Sequence, residues 1–216
     1  MDAYRNLAWL VLLALLWSAT FGLVKIALEI PPFAMTSIRL IIASALLIAY
    51  LYSRGERLGA PGLIWLHFGA IGFFALVVPF NSLVWAETRI SSGLASIPVA
   101  AGPLLTVLIA HVATRDEKIT TAKLGGVLVG FAGLLVLIGP RELAGVGGDV
   151  LGLGAMLFGV VCYVISNMLT RRLRDLSVAA IGAHVMISGA LISTALTISF
   201  EQPWTITPSW NSLAAV

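Results

Sequence analysis

Lys25 and Arg39, two cations inside apolar runs, have the clearest chemical use in this sequence. A Lys or Arg at the centre of a membrane helix costs about 2.5–3.5 kcal/mol on the insertion scale. Each therefore needs a partner, either the membrane surface reached by snorkelling or an anion that the protein is built to hold. Trp17, Phe21 and Lys25 are spaced four apart, which stacks them on one helix face. That stack offers a solute an apolar floor and a charged rim. Counted from Pro31 and Pro32, Lys25 and Arg39 each lie about 9–12 Å along their helices at 1.5 Å per residue. The two cations thus share a depth, with Glu29 one turn beyond Lys25. A carboxylate or phosphate on an amphiphilic solute, such as an amino acid or a related metabolite, suits such a pair.

Asn81, Tyr163 and His184 complete the candidate substrate-binding set. Trp17 and Tyr163 fall mid-run, away from the interfacial belts where such rings collect, and filling a gap between helices is their plainer use. Asn81 is polar within an apolar run, whereas Ser92 and Ser96 can bond back to their own helix. His184 lies about two turns deeper than His67 and His111, which read as interfacial. Enzyme chemistry finds little footing. There is no HExxH, no GxSxG and no paired carboxylate in an apolar run, and the lone Cys162 excludes an intrachain disulfide or a Cys-based metal site. No cofactor or metal is expected. Gly145, Gly147 and Gly148 follow no strand, so they read as a linker and not as a phosphate cradle.

The elements that must position these residues are membrane helices. Of 216 residues, 59% are hydrophobic and 11% are charged, whereas soluble domains carry about 25% charged residues. No Asp, Glu, Lys or Arg falls within 58–86, 90–114, 124–140, 150–170 or 176–200. Runs 7–28 and 33–52 are interrupted only by Lys25 and Arg39. Each run is long enough to span, at about 17–25 residues, and in lipid each must satisfy its backbone as a helix. Seven spans follow, in an all-α, polytopic membrane protein with no Asp or Glu inside a span. The N-terminal apolar stretch continues beyond any cleavage site at Ser18-Ala19-Thr20, so it reads as a span and not as a signal peptide.

Alternate connections carry Arg5; Arg54 and Arg57; Arg115, Lys118 and Lys123; and Arg171, Arg172 and Arg174. The opposite side carries Arg89 and Arg141. By the positive-inside rule, the N terminus and the first group face the cytoplasm in a multi-pass protein of the inner membrane. The net charge of +3 belongs to those connections and does not imply nucleic acid. The partners expected are a small-molecule solute and the lipid bilayer. The spacing of Gly126 and Gly130 suits close packing inside the bundle, with a homodimer interface as its second use.

The stretch Pro140–Asp149 divides the chain. Trp17 and Tyr163, 146 apart, occupy similar places in the first and sixth runs, as do Arg39 and His184 in the second and seventh, 145 apart. A five-helix repeat enters the membrane the opposite way round the second time, as in secondary transporters whose solute site lies between the halves.

Several local patterns resemble the drug/metabolite transporter superfamily, in its EamA-type branch. Trp17-Ser18-Ala19-Thr20-Phe21 with Lys25 resembles a first-helix Trp-Gly-x-x-Phe pattern, Ser18 standing for Gly. Arg39-Leu40 resembles an Arg-Phe or Arg-Leu pair in the second helix. Pro103 and Asp116-Glu117-Lys118-Ile119-Thr120 resemble a Pro followed by a Gly-Glu-Arg-Leu-Thr turn, Asp116 standing for Gly. Lys123–Gly139, with Gly125, Gly126, Gly130 and Gly133, resembles the fifth helix. Gly148-Asp149, Tyr163 and Arg171-Arg172 resemble the start of a second repeat.

The resemblance implies a ten-helix secondary transporter of metabolites or drugs, often an exporter. Residues 7–140 then form the first five-helix repeat, and 149–216 an incomplete second, with two helices and the start of a third at Trp210. On that reading the chain is a fragment lacking roughly three helices. Its competitors are a membrane-embedded enzyme, a channel, which favours rings of repeated polar residues, and a subunit that transports nothing.

Overall fold

The computed structural model of this chain describes residues 2–59, 62–113, 120–143, 149–173, 176–205 and 207–216. Asp116 to Ile119 and Gly145 to Gly148, singled out in the sequence, lie outside the described residues. Among the described residues every regular element is a helix, in the order α1 (Asp2–Ile26), α2 (Pro32–Ser53), α3 (Ile64–Gly72), a π turn (Phe73–Val77), α4 (Val78–Glu87), α5 (Ser92–Ala100), α6 (Gly102–Ala113), α7 (Thr121–Leu143), α8 (Val150–Thr170), α9 (Val178–Phe200), a 3-10 turn (Pro203–Thr205) and α10 (Trp210–Ala215). The protein is an all-α polytopic membrane protein.

Among the described residues, six segments are long and apolar enough to cross a membrane: Tyr4–Ile26, Pro32–Ser53, Ile64–Glu87, Ser92–Ile109, Val150–Thr170 and Val178–Phe200. The expected fifth span falls on α7, apolar over Thr121–Gly133, and α7 loses helical geometry at Gly139 (φ 78°). The third span also differs from expectation: it ends at Glu87 and so brings a carboxylate inside it. The span edge read from sequence stopped at 86 because a charge follows. Helix continuity is instead set by backbone bonding, which runs on through Glu87.

Prolines shape the two central spans. Pro79 has no N–H to offer the preceding turn, and the helix widens into the π turn just before it. The fourth span, which carries Pro98 and Pro103, divides at Ala101 into α5 and α6. Helix starts are capped by Ser91, Asp149, Ser177 and Ser209, each side chain accepting the N–H three residues on. Helix α2 starts on Pro31 and Pro32, with no cap of its own. The Glu201 carboxylate, at the end of α9, accepts from the Phe33 and Ala34 N–H groups at 2.9 and 2.7 Å and takes that role.

Helices α2 and α9 pack antiparallel. Leu51 meets Ala180 and Ala183 at one end, and Glu201 caps α2 at the other. Between them the buried Ser37 hydroxyl meets Ser193 at 3.1 Å and Thr197 at 2.8 Å, a polar seam suited to helices that gain little from burying apolar surface in lipid. Two glycines let backbones close up. A Cβ at Gly72 would stand 2.9 Å from Gly189 N and Val185 O, and one at Gly159 would stand 3.2 Å from the Pro79 Cα. Gly126 and Gly130 meet nothing within 4 Å, so the close packing expected of their spacing is not made among the described residues. Helix α1 lies at the bundle edge, with only 6% of its span covered.

Candidate solute-binding site

Lys25 and Arg39 converge at the end of the bundle that holds the α1–α2 and α4–α5 turns, and they converge on Glu87. The Lys25 ammonium donates to the main-chain carbonyl of Glu87 and, at 3.0 Å, to that of Ile90. Lys25 thus sits on the carbonyl end of α4, where a cation is favoured by the helix dipole. It is not held by Glu29, whose carboxylate accepts instead from the Ser209 N–H (2.9 Å) and the Ser212 hydroxyl (2.8 Å). Those bonds, the Ser209 N–H foremost, hold the Glu29 carboxyl below its ordinary range. Arg39 is half-buried and donates through Nε to the Val216 carbonyl at 3.2 Å. Both cations feel the Glu87 carboxylate electrostatically.

Glu87 was absent from the sequence-derived set. It is 0% exposed, and neither carboxylate oxygen has a hydrogen-bond partner. The Ser92 hydroxyl faces the carboxyl without closing a bond of standard geometry. Beside it, Arg89 is engaged elsewhere, 3.2 Å from Asp149 and 4.5 Å over the Trp85 ring. The Asp149 carboxyl is held low, chiefly by the Gly152 N–H.

Further along the bundle, Trp17 and Tyr163 meet edge to face, ring centroids 6.3 Å apart at 69°. Half of Trp17 and 38% of Tyr163 stay uncovered, so the pair presents ring surface as well as packing. Phe21, between Trp17 and Lys25 on α1, is partly buried against the cluster of Val24, Met35, Leu83 and Leu94. Asn81 accepts from Thr36 at 3.3 Å and donates to the Val77 carbonyl at 2.7 Å, in the turn loosened by Pro79. It also lines a recess of about 410 Å³ with Pro32, Phe33, Ser82, Trp85 and Glu201. That recess opens between α2, α4 and α8, at the same end as Glu87.

His184 stands apart from these groups, at the opposite end of α9. It is buried, with Nδ1 2.7 Å from the Ala180 carbonyl and Nε2 accepting from the Gly59 N–H at 3.2 Å. That pattern fixes a neutral imidazole protonated on Nδ1. The ring stacks on Phe68 (4.6 Å between centroids) and borders Trp65, so His184 pins the loop after α2 to α9. His67 lies 3.0 Å from the Leu169 carbonyl. No group of three metal-ligating side chains forms among the described residues.

The model of the EamA-like transporter family matches residues 5–139. Protein PagO of Salmonella typhimurium is 28% identical over 207 residues, covering 95% of this chain and 68% of that protein. The inner membrane transporter YedA of Escherichia coli K12 is 28% identical over 209 residues, covering 94% of this chain and 65% of that protein. A solved crystal structure superposes with a TM-score of 0.67 at 24% identity, over 94% of this chain and 70% of that one, which bears on the fold. The chain spans about two thirds of the length of the relatives it matches.

Proposed function

Because this chain belongs to the EamA-like transporter family, and so to a class of multi-pass membrane transporters, we propose that it carries small amphiphilic solutes bearing an anionic group out of the cytoplasm. The observation that supports this reading most is the convergence of Lys25 and Arg39 at one end of the bundle, with the uncovered rings of Trp17 and Tyr163 about two helical turns further in. The cations take the anionic group and the rings take the apolar body. The solute leaves by the end of the bundle that holds both cations.

Reconstituted full-length protein should show L-phenylalanine counterflow well above empty liposomes. Cells producing it should release preloaded L-phenylalanine faster than cells producing an Arg39→Ala variant. Equal flux with and without protein would overturn the reading for this solute class.

The basic residues of alternate connections support an orientation with the N terminus in the cytoplasm. Ser53 and Thr88 are exposed and lie at opposite ends of the bundle. In a Cys162→Ala background, a membrane-impermeant maleimide added to intact cells should label Thr88→Cys and spare Ser53→Cys. The reverse pattern would invert the orientation.

A further inference from the structure

We infer that Lys25 is the latch of a gate: by bridging the main-chain carbonyls of Glu87 and Ile90, its ammonium holds the end of α1 shut against the turn between α4 and α5, and its release opens the solute's way out. This rests on the exit proposed above.

Lys25 lies in the last turn of α1 and reaches two other elements at once. Glu87 closes α4 and Ile90 lies in the turn before α5, so an ammonium seated on both carbonyls clamps that turn to α1. The seam it crosses is otherwise apolar, with Val24 and Ala27 sharing one buried cluster with Leu83, Val84, Leu94 and Ala95. Contacts of that kind gain little in lipid, whose tails are as apolar as the side chains, so the directional hold falls to Lys25. On the other side, the end of α1 and the turn after it are fastened to α10. The Ser212 hydroxyl donates to the Ile26 carbonyl at 3.2 Å, and Glu29 accepts from the Ser209 N–H and from Ser212. Breaking the Lys25 bonds therefore parts the end of α1, with α10, from α4 and α5 along that apolar seam.

The latch can let go. Lys25 is exposed, and its hydrogen-bond partners among the described residues are neutral carbonyls, which leave one of its three N–H donors unspent. A Lys ammonium is a compact charge on a flexible four-carbon stem. An anionic group that reaches it offers the countercharge that the carbonyls lack, in a stronger, charge-assisted bond. The ammonium then swings to the solute and leaves α4. Because the latch closes on main-chain oxygens, it needs no side chain of α4 or α5.

Val24, next to Lys25 and 0% exposed, reports on the seam, and Cys162, 2% exposed in α8, reports on the rest of the bundle. Full-length protein in liposomes is treated with N-ethylmaleimide, Val24→Cys being read in a Cys162→Ala background and Cys162 in the native one. Lys25→Met, which keeps the stem and removes the donors, should speed modification of Val24→Cys at least about tenfold while Cys162 keeps its parental rate. Lys25→Arg should restore most of the protection, and Glu87→Gln should leave Val24→Cys slow. Added L-phenylalanine should speed the reaction while Lys25 is present and add nothing after Lys25→Met. Equal rates with Lys25 and Lys25→Met, opening by Glu87→Gln, or a matching rise at Cys162 would overturn the latch. Indifference to L-phenylalanine in protein that transports it would overturn the gate. The same indifference in protein that shows no L-phenylalanine counterflow, with the seam still opened by Lys25→Met, would sink the proposed solute and keep the latch.

Discussion

Arg39→Ala should reduce L-phenylalanine transport by full-length protein to the background of empty liposomes, with membrane abundance unchanged. Truncating one partner of a buried, hydrogen-bonded charge pair costs about 2–5 kcal/mol, which at about 1.4 kcal/mol per decade is at least about thirtyfold in affinity. Arg39 is half-buried and the bond it makes within the protein, from Nε to the main-chain oxygen of Val216, uses one of its five donors, which leaves the others for a solute. Folding should tolerate the change, since a cation removed from an apolar run eases insertion. Arg39→Lys should recover activity only in part, because an ammonium cannot make the bidentate contact of a guanidinium. Lys25→Ala should behave differently. It removes the cation seated on the end of α4, so it should lower thermal stability as well as transport. Parental flux from both alanine variants would make the two cations snorkelling anchors and would leave the proposed site without its charge.

Much of this architecture was legible in the sequence because lipid leaves the backbone so few options. An uncharged run of about 20 residues has to be a helix, and the boundaries of α2, α8 and α9 fall within a few residues of the runs 33–52, 150–170 and 176–200. The convergence of Lys25 and Arg39 was legible too, since a tight turn at Pro31-Pro32 returns the chain at matching depth. Glu87 was not. A charge at the edge of an apolar run reads as the end of a span, and what covers it is decided by α1, α2 and α5, which are distant in sequence. The cap of α2 by Glu201 was hidden for the same reason, lying 168 residues from its donor Phe33. His184 was placed by analogy with Arg39 in an inverted repeat, and its ring is fully engaged with Gly59, Ala180 and Phe68. Glycines show the limit of local patterns most clearly. The spacing of Gly126 and Gly130 caught the eye, whereas the close contact is between Gly72 and Gly189, which share no local motif.

That contact carries the other large effect. Gly72→Leu should prevent accumulation of folded protein, and Gly72→Ala should lower its apparent melting temperature in detergent. At Gly72 even a Cβ would stand 2.9 Å from Gly189 N and Val185 O, both backbone atoms of α9, and 3.3 Å from the Gly189 Cα. A side chain in the way can rotate, but a helix backbone has to move as a body. Overpacking of this kind costs about 1–3 kcal/mol for small insertions and more when nothing can yield. Here α9 is held on its other side by the Ser37, Ser193 and Thr197 seam with α2, so moving it from α3 strains a second interface. The Leu76 and Leu40 side chains, which a Cβ at Gly189 would meet at 3.2 Å, pack in the cluster with Phe68 and Ile71. The strain therefore spreads through the middle of the bundle. Gly126→Ala is the matched control, because a Cβ there meets nothing within 4 Å and alanine favours a helix over glycine by about 0.8–1.0 kcal/mol. That variant should accumulate at least as well as the parent and should melt no lower. Equal melting of Gly72→Ala and the parent would show that α3 and α9 stand further apart in the membrane than their glycines indicate.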